Sequence, residues 1–351
     1  MSGRLWAAVI VLVLVVGAAA GFGGYQLGLR ATRPGTLTSS VSPLPTTDLQ
    51  TPSPTSAAAS SPTSTGSPLV VANLHCKLPV YQMGKNGSGA FISFPNGTVT
   101  PDSSSNVGAP GSGDPGDWFG LTYDNTVNRW LPVPSTWVTA DGALYAYAID
   151  LNKHAENFMI VVNARTGTSV SLGGVGTGWQ VIGVGSTGIY ATALNEPGVW
   201  VQAIAGPFQP MEVSTDGYWR AASGFYAYGS AIPDGGAVVR VDLRDPTQRV
   251  PWFSKSNTAD IIGFDGSGNP VIWDGTDLWI VSAPNQATRI SSKPPIPLPT
   301  PQQGLPIYGA QAPVSDSHGL WFSTTDGIYL YAGGQTTKVS NVVAQVAGAC
   351  S

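Results

Sequence analysis

Three observations predict an all-β fold made of repeated short strands. A phrase consisting of a Gly turn, often Asp-Gly, followed by an aromatic and β-branched run recurs along the chain. It reads Asp141-Gly142-Ala143-Leu144-Tyr145-Ala146-Tyr147, then Thr187-Gly188-Ile189-Tyr190-Ala191-Thr192, and in its sharpest form Asp316-Ser317-His318-Gly319-Leu320-Trp321-Phe322-Ser323. The copies lie roughly 35 to 50 residues apart, the length of one four-stranded propeller blade. Gly (44) and Pro (29), with abundant Val, Thr, Trp and Tyr, favour strands and turns over helices. Together these predict a six-bladed β-propeller, with a seven-bladed ring as the alternative.

The elements follow in chain order. Residues 5–29 contain no charge. As a helix rising about 1.5 Å per residue they reach roughly 37 Å, enough to cross a hydrocarbon core of about 30 Å. Residues 1–31 are therefore expected to form a cytoplasmic stub and a transmembrane signal anchor. Ala18-Ala19-Ala20 offers a cleavage site as the alternative, which would give a secreted protein. Gly17, Gly21, Gly24 and Gly28 have the spacing that lets two helices pair, a route to a homodimer. Residues 32–68 are almost all Ser, Thr, Pro and Ala. They carry too little apolar side chain to offset the entropy of ordering and read as a disordered linker.

Residues 69–351 are expected to form the propeller. With strands lettered a to d from the inside outwards, the first full unit is read as 137–139, 144–149, 158–163 and 169–172. The next three begin their inner strands at 180, 218 and 260, and the last uses 310–314, 320–323, 328–331 and 336–339. At the front, 89–94 and 120–123 read as strands and 129–133 as an outer strand, with no clear inner strand. A surplus strand, 342–346, remains at the other end. The economical solution is a ring whose first blade takes its inner strand from the C-terminus, because closure removes exposed edges. Cys76 opens that blade and Cys350 ends the borrowed strand, which predicts a Cys76–Cys350 disulfide in a compartment where such bonds persist.

Residues 314–333 resemble the repeat of two-component-regulator propellers. Residues 262–273 are similar to an NHL-type repeat, and 137–149 resemble the Asp-Gly repeat of Tol-type periplasmic propellers. The resemblance covers about 77–350 and implies the bacterial β-propeller superfamily, whose members bind and scaffold, with a minority of lyases and hydrolases. It transfers no site residue.

Composition and motifs narrow the function. Charged residues make up 10% of the chain and the net charge is −4, which excludes nucleic acid as a partner. His75, His154 and His318 are scattered, so neither metal nor cofactor is expected. Asp265-Gly266-Ser267-Gly268-Asn269 has alternating oxygens like a calcium loop but lacks the later acid, and reads as a turn. His154 with Glu156 is the one pair resembling an acid/base couple. Among eleven tryptophans, Trp179 and Trp219 lie near connections from d to the next a, where a ring face would be free for stacking. Connections from b to c and from d to a are long, while those from a to b and from c to d are tight. Binding residues concentrate on long loops set on a rigid scaffold. The expected function is a membrane-anchored, extracytoplasmic, non-catalytic binding module for protein, peptide or glycan. A propeller lyase or glycan hydrolase is the alternative.

Overall fold

The computed structural model describes residues 74–82, 89–105, 107, 120–150, 157–172, 179–185, 187–193, 197–204, 209, 211–214, 216–231, 236–297 and 312–351. The expected anchor, the glycine series from Gly17 to Gly28 and the linker lie outside them. Among the described residues no helix is long and apolar enough to cross a membrane.

The chain begins with β1 (Lys77–Tyr81), β2 (Gly89–Ser93) and β3 (Thr98–Pro101), then a hairpin of β4 (Thr122–Asp124) and β5 (Arg129–Leu131). A three-stranded sheet follows, β6 (Leu144–Asp150), β7 (Asn157–Asn163) and β8 (Ser169–Leu172). Four regular sheets come next, each running outwards in chain order. They are β9 (Trp179–Val184), β10 (Ile189–Ala193), β11 (Val199–Gln202) and β12 (Met211–Ser214); then β13 (Tyr218–Ser223), β14 (Tyr226–Ser230), β15 (Val238–Asp242) and β16 (Asp245–Phe253). After them stand β17 (Asp260–Phe264), β18 (Pro270–Trp273), β19 (Leu278–Ala283) and β20 (Gln286–Ser291); then β21 (Val314–Asp316), β22 (Gly319–Thr324), β23 (Gly327–Ala332) and β24 (Gln335–Ser340). The last strand, β25 (Gln345–Val346), pairs with β1 and gives the first sheet the order β25-β1-β2-β3. Six blades form the ring, and the first is closed by the C-terminus as expected.

The closure is a clasp of several parts. Beyond β25 the chain stays beside β1: the Ala347 N–H donates to the Pro79 carbonyl (2.8 Å) and the Lys77 N–H to the Ser351 carbonyl (2.8 Å). The Cys76–Cys350 disulfide joins them, with Cα atoms 5.5 Å apart. The Asp316 carboxylate, on the neighbouring blade, accepts the Cys350 N–H (2.8 Å) and the Trp321 indole N–H (2.7 Å). The phrase that announces the repeat in sequence therefore also pins the closing strand.

Strand alternation explains the core. Successive side chains point to opposite faces of a blade, so each blade buries one set against each neighbour. On blade 3, Val181, Ile189 and Ala191 pack with Val161, Val162 and Leu172 of blade 2. Ile182, Tyr190 and Val199 point the other way, to Trp219, Ala227 and Val241 of blade 4. Similar clusters join blades 4 to 5, 5 to 6, and 6 to 1. Blades approach closely at small residues: a Cβ on Gly183 would fall 2.5 Å from the Ala222 carbonyl oxygen.

Three expectations need correction. The front blade uses β1 and β3 with β2; residues 120–133 instead supply the β4–β5 hairpin between blades 1 and 2. There Leu121 and Trp130 pack with Tyr81 and Ala347, while Leu131 and Val133 join the core of blade 2. The inner strand expected at 137–139 is a 3-10 turn (Ser135–Trp137) followed by a single bridge, Val138 to Tyr145. The inner strand of blade 6 begins at Val314, at the end of the stretch expected for it.

Candidate functional site

Strand direction gives the ring two unlike faces. Strands a and c run towards one face and strands b and d towards the other, so turns from a to b and from c to d share a face. These turns are tight and self-satisfied. Asp141 Oδ1 accepts the Thr139 hydroxyl (2.6 Å) and the Ala143 N–H (3.0 Å), and Gly142 supplies φ +66°. Asp265 Oδ1 accepts the N–H groups of Ser267 (2.9 Å) and Asn269 (2.8 Å), and Oδ2 accepts the Asn269 amide (2.9 Å), so its oxygens serve the turn. Cys76 precedes strand b of blade 1 and Cys350 follows its strand a. Both therefore sit on this tight-turn face, and the chain enters and leaves the ring there.

The opposite face carries the b-to-c and d-to-a connections and the entry ends of the inner strands; contrary to the expected asymmetry, the b-to-c turns of blades 5 and 6 are tight, Trp273 to Leu278 and Thr324 to Gly327. Most of those connections, with His154 and Glu156 among them, lie outside the described residues. The described part of this channel mouth includes corresponding positions of blades 1, 4 and 5. Gln345, Tyr218 and Asp260 each pair with the last residue of strand b in their blades, namely Tyr81, Ser230 and Trp273. Next to them the inner strands of blades 3, 4 and 5 each carry a register shift at one residue: Ile182, Arg220 and Ile262. A bulge re-aims the side chain it carries. In blades 3 and 5 that side chain is buried isoleucine; in blade 4 it is arginine. Arg220 makes an ion pair with Asp260 across the junction of blades 4 and 5, with the Asp260 side chain 55% exposed and that of Arg220 18%.

Outside this pair the mouth continues on blade 5. Lys255 Nζ lies 3.8 Å from the centre of the Trp279 ring, a cation–π contact. The Trp279 indole N–H donates to Asp274 Oδ2 (2.8 Å). Ser256 and Thr258 hydroxyls donate to the Asp274 carbonyl (3.0 and 3.2 Å). Burial pushes the Asp274 carboxyl up, but the N–H groups of Asp277 and Thr276, the Trp279 indole and the Lys255 charge outweigh it and hold it below the usual carboxylate range. On blade 6, Asp326 is also held low, by the Thr324 hydroxyl first and then by Tyr329 and two lysines. Burial, and then Asp326, push the Tyr329 phenol up to about 12.

The two tryptophans singled out from sequence fare differently. Trp219 is 3% exposed; its indole donates to the Asp216 carbonyl (3.0 Å) and the Arg249 guanidinium lies 5.6 Å from its ring centre. Its ring faces are packed, so it is a core residue and not a stacking platform. Trp179 is half-buried at the start of β9, edge-on to Trp200 at 5.5 Å, on the face of blade 3 that meets blade 2. Among the described residues no three His, Cys, Asp or Glu side chains converge as metal ligands. Sequence reading missed Arg220 and Asp260. An alternating pattern assigns Arg220 to one blade face, and the bulge that re-aims it has no signature in the residues themselves.

No family model and no curated protein matches the chain. Solved structures similar to it include a catalytically inactive virginiamycin B lyase from Staphylococcus aureus with quinupristin, at 13% identity, with a TM-score of 0.37, covering 79% of this chain and 89% of that one. A streptogramin B lyase is 12% identical with a TM-score of 0.39, covering 79% and 88%. A Bacteroides fragilis protein assigned as a 6-phosphogluconolactonase is 12% identical with a TM-score of 0.42, covering 77% and 95%. At these scores the likenesses bear on neither activity nor ligand.

Proposed function

We propose that the chain is a membrane-tethered, extracytoplasmic binding module, without catalytic activity, that engages its partner through the long-connection face. The observation that carries this reading is the placement of the chain ends. Residues 74–76 enter the ring on the tight-turn face, and the C-terminus ends beside them under the disulfide. The connections from b to c and from d to the next a lie on the face opposite these described ends. The apolar run at residues 5–29 and the Ser/Thr/Pro tract at 32–68 supply an anchor and a spacer. The inner-strand carboxylate of the described mouth, Asp260, is engaged by Arg220, an arrangement suited to binding.

The test compares charge reversals on the two faces of the full-length protein. Partner capture should be lost in Asp274→Lys and kept in Asp141→Lys. The reverse pattern would place the working surface on the wrong face. Turnover of a lyase or hydrolase substrate that disappears in His154→Ala or Glu156→Gln would replace the binding reading with an enzymatic one.

A further inference from the structure

We propose that the channel mouth recognises an uncharged, hydroxyl-rich saccharide, held by Asp260, Arg220 and Gln345 and flanked by the ring of Tyr218; this rests on the long-connection face being the working surface. The first observation is the Arg220–Asp260 pair itself. It stands on neighbouring inner strands, at a bulge that in blades 3 and 5 carries isoleucine, and Asp260 stays half-exposed. A surface ion pair adds little stability on its own. A carboxylate and a guanidinium side by side present an acceptor next to a donor. A pair of neighbouring hydroxyls matches that arrangement, since each hydroxyl both donates and accepts. A free carboxylate ligand would meet Asp260, and an ammonium ligand would meet Arg220, so the pair favours a neutral partner.

The second observation is independent. Gln345, at the same level of the ring on the closing strand, is 2% exposed, and its Nε2 has no hydrogen-bond partner among the described residues. Buried donors in folded proteins are nearly always satisfied, and leaving one unmade is costly. A donor kept without a partner on an inner strand is suited to an oxygen supplied from outside the chain. The third is the half-buried state of Tyr218 at the entry end of β13. An aromatic ring placed this way offers an apolar face to the C–H face of a sugar, with polar groups beside it to fix orientation.

The experiment is a glycan array carrying neutral and uronic-acid oligosaccharides, probed with the full-length protein in detergent, alongside an immobilised random peptide library. Neutral saccharides should bind, and Asp260→Asn and Arg220→Met should each weaken that binding by about tenfold to a hundredfold, the effect of losing a hydrogen bond to a charged group. Gln345→Leu should weaken it as well without lowering the melting temperature, because removing an unsatisfied buried donor does not destabilise. That combination separates a ligand role from a packing role and survives a failure of either charged variant to fold. Saccharide binding unchanged in all three variants would overturn the inference, as would an array with no neutral binder. If peptides bind instead and the Asp260 variant abolishes it, the saccharide is wrong and the working face stands. If neither library binds, both fall.

Discussion

Removing the disulfide by Cys76→Ala with Cys350→Ala tests the closure of the ring. The two cysteines are 274 residues apart. In the chain-entropy model a cross-link over a loop of that length lowers the entropy of the unfolded chain enough to stabilise the fold by about 5.5 kcal/mol at 25 °C. That is an upper figure, because the native clasp persists without the bond: the Lys77–Ser351 and Ala347–Pro79 hydrogen bonds and the Asp316 contact remain. For a domain of this size about 1 kcal/mol corresponds to roughly 2–3 °C, so the melting temperature should fall by roughly 10–15 °C. Circular dichroism melts of the double variant and of wild type, with and without reductant, read this directly. Reduction of wild type should reproduce the shift, and the double variant should not respond to reductant. A fall of less than about 3 °C, or two free thiols in the unreduced wild type, would refute the view that the ends are covalently locked.

Four further outcomes follow from the same geometry. Asp316→Asn weakens the bonds to Cys350 and Trp321 at a nearly buried site and should cost about 2–3 kcal/mol, measured by denaturant midpoint. Gly348→Ala should loosen the clasp and raise proteolysis near the C-terminus, since a Cβ there would fall 2.4 Å from the Tyr123 carbonyl oxygen. Folded-state carboxyls held low, with Asp242 brought to about 2 by Arg244 and Asp102 lowered by the Trp130 indole, contribute stability present above pH ~4 and lost as pH falls towards 2; melts from pH 7 to 2 should show that loss, with a shallower acid slope in Trp130→Phe. Burial raises the Tyr147 phenol to about 12, as it does Tyr329, so titration at pH 11 should leave both un-ionised, and stability should fall as pH rises from about 10 towards 12.

How far the sequence could be read depended on the range of the interaction that decides each element. Blades 3 to 5 were legible because their turns are local: Gly224 and Gly268 take positive φ and short apolar runs flank them. The β1 strand was missed. It holds Pro79, which removes a ladder donor and argues against a strand interior, yet its carbonyl accepts the Ala347 N–H from the far end of the chain. The β4–β5 hairpin has a clear local turn, with Asp124 Oδ1 accepting the N–H of Thr126 (2.7 Å). Whether it belongs to a blade or between two is set by the Tyr123 N–H meeting the Ala347 carbonyl (2.7 Å), a contact more than 200 residues long. The pairing of cysteines was legible because closure leaves one way for the two ends to meet. The mouth was not, because Arg220 faces Asp260 only through a bulge, and Trp219 looks loop-proximal in sequence while the blade junction buries it.

The clasp and the candidate site are consequences of one strand direction. A ring that takes its innermost strand of blade 1 from the C-terminus must bring Cys350 to the face where strand b of that blade starts. The covalent lock, the chain entry and the Asp316 contact therefore gather at one end of the channel, and the entry ends of all inner strands gather at the other. Variation is cheap at the second end: a change in Gln345, Tyr218 or Asp260 alters a position that the ladder pairs through backbone, whereas a change at Asp316 or Gly348 disturbs closure itself. A propeller closed in this way has its closing contacts concentrated on the tight-turn face, away from the far one. On that reasoning the arginine placed where neighbouring blades keep isoleucine serves a ligand, because the isoleucines show that packing alone does not call for it.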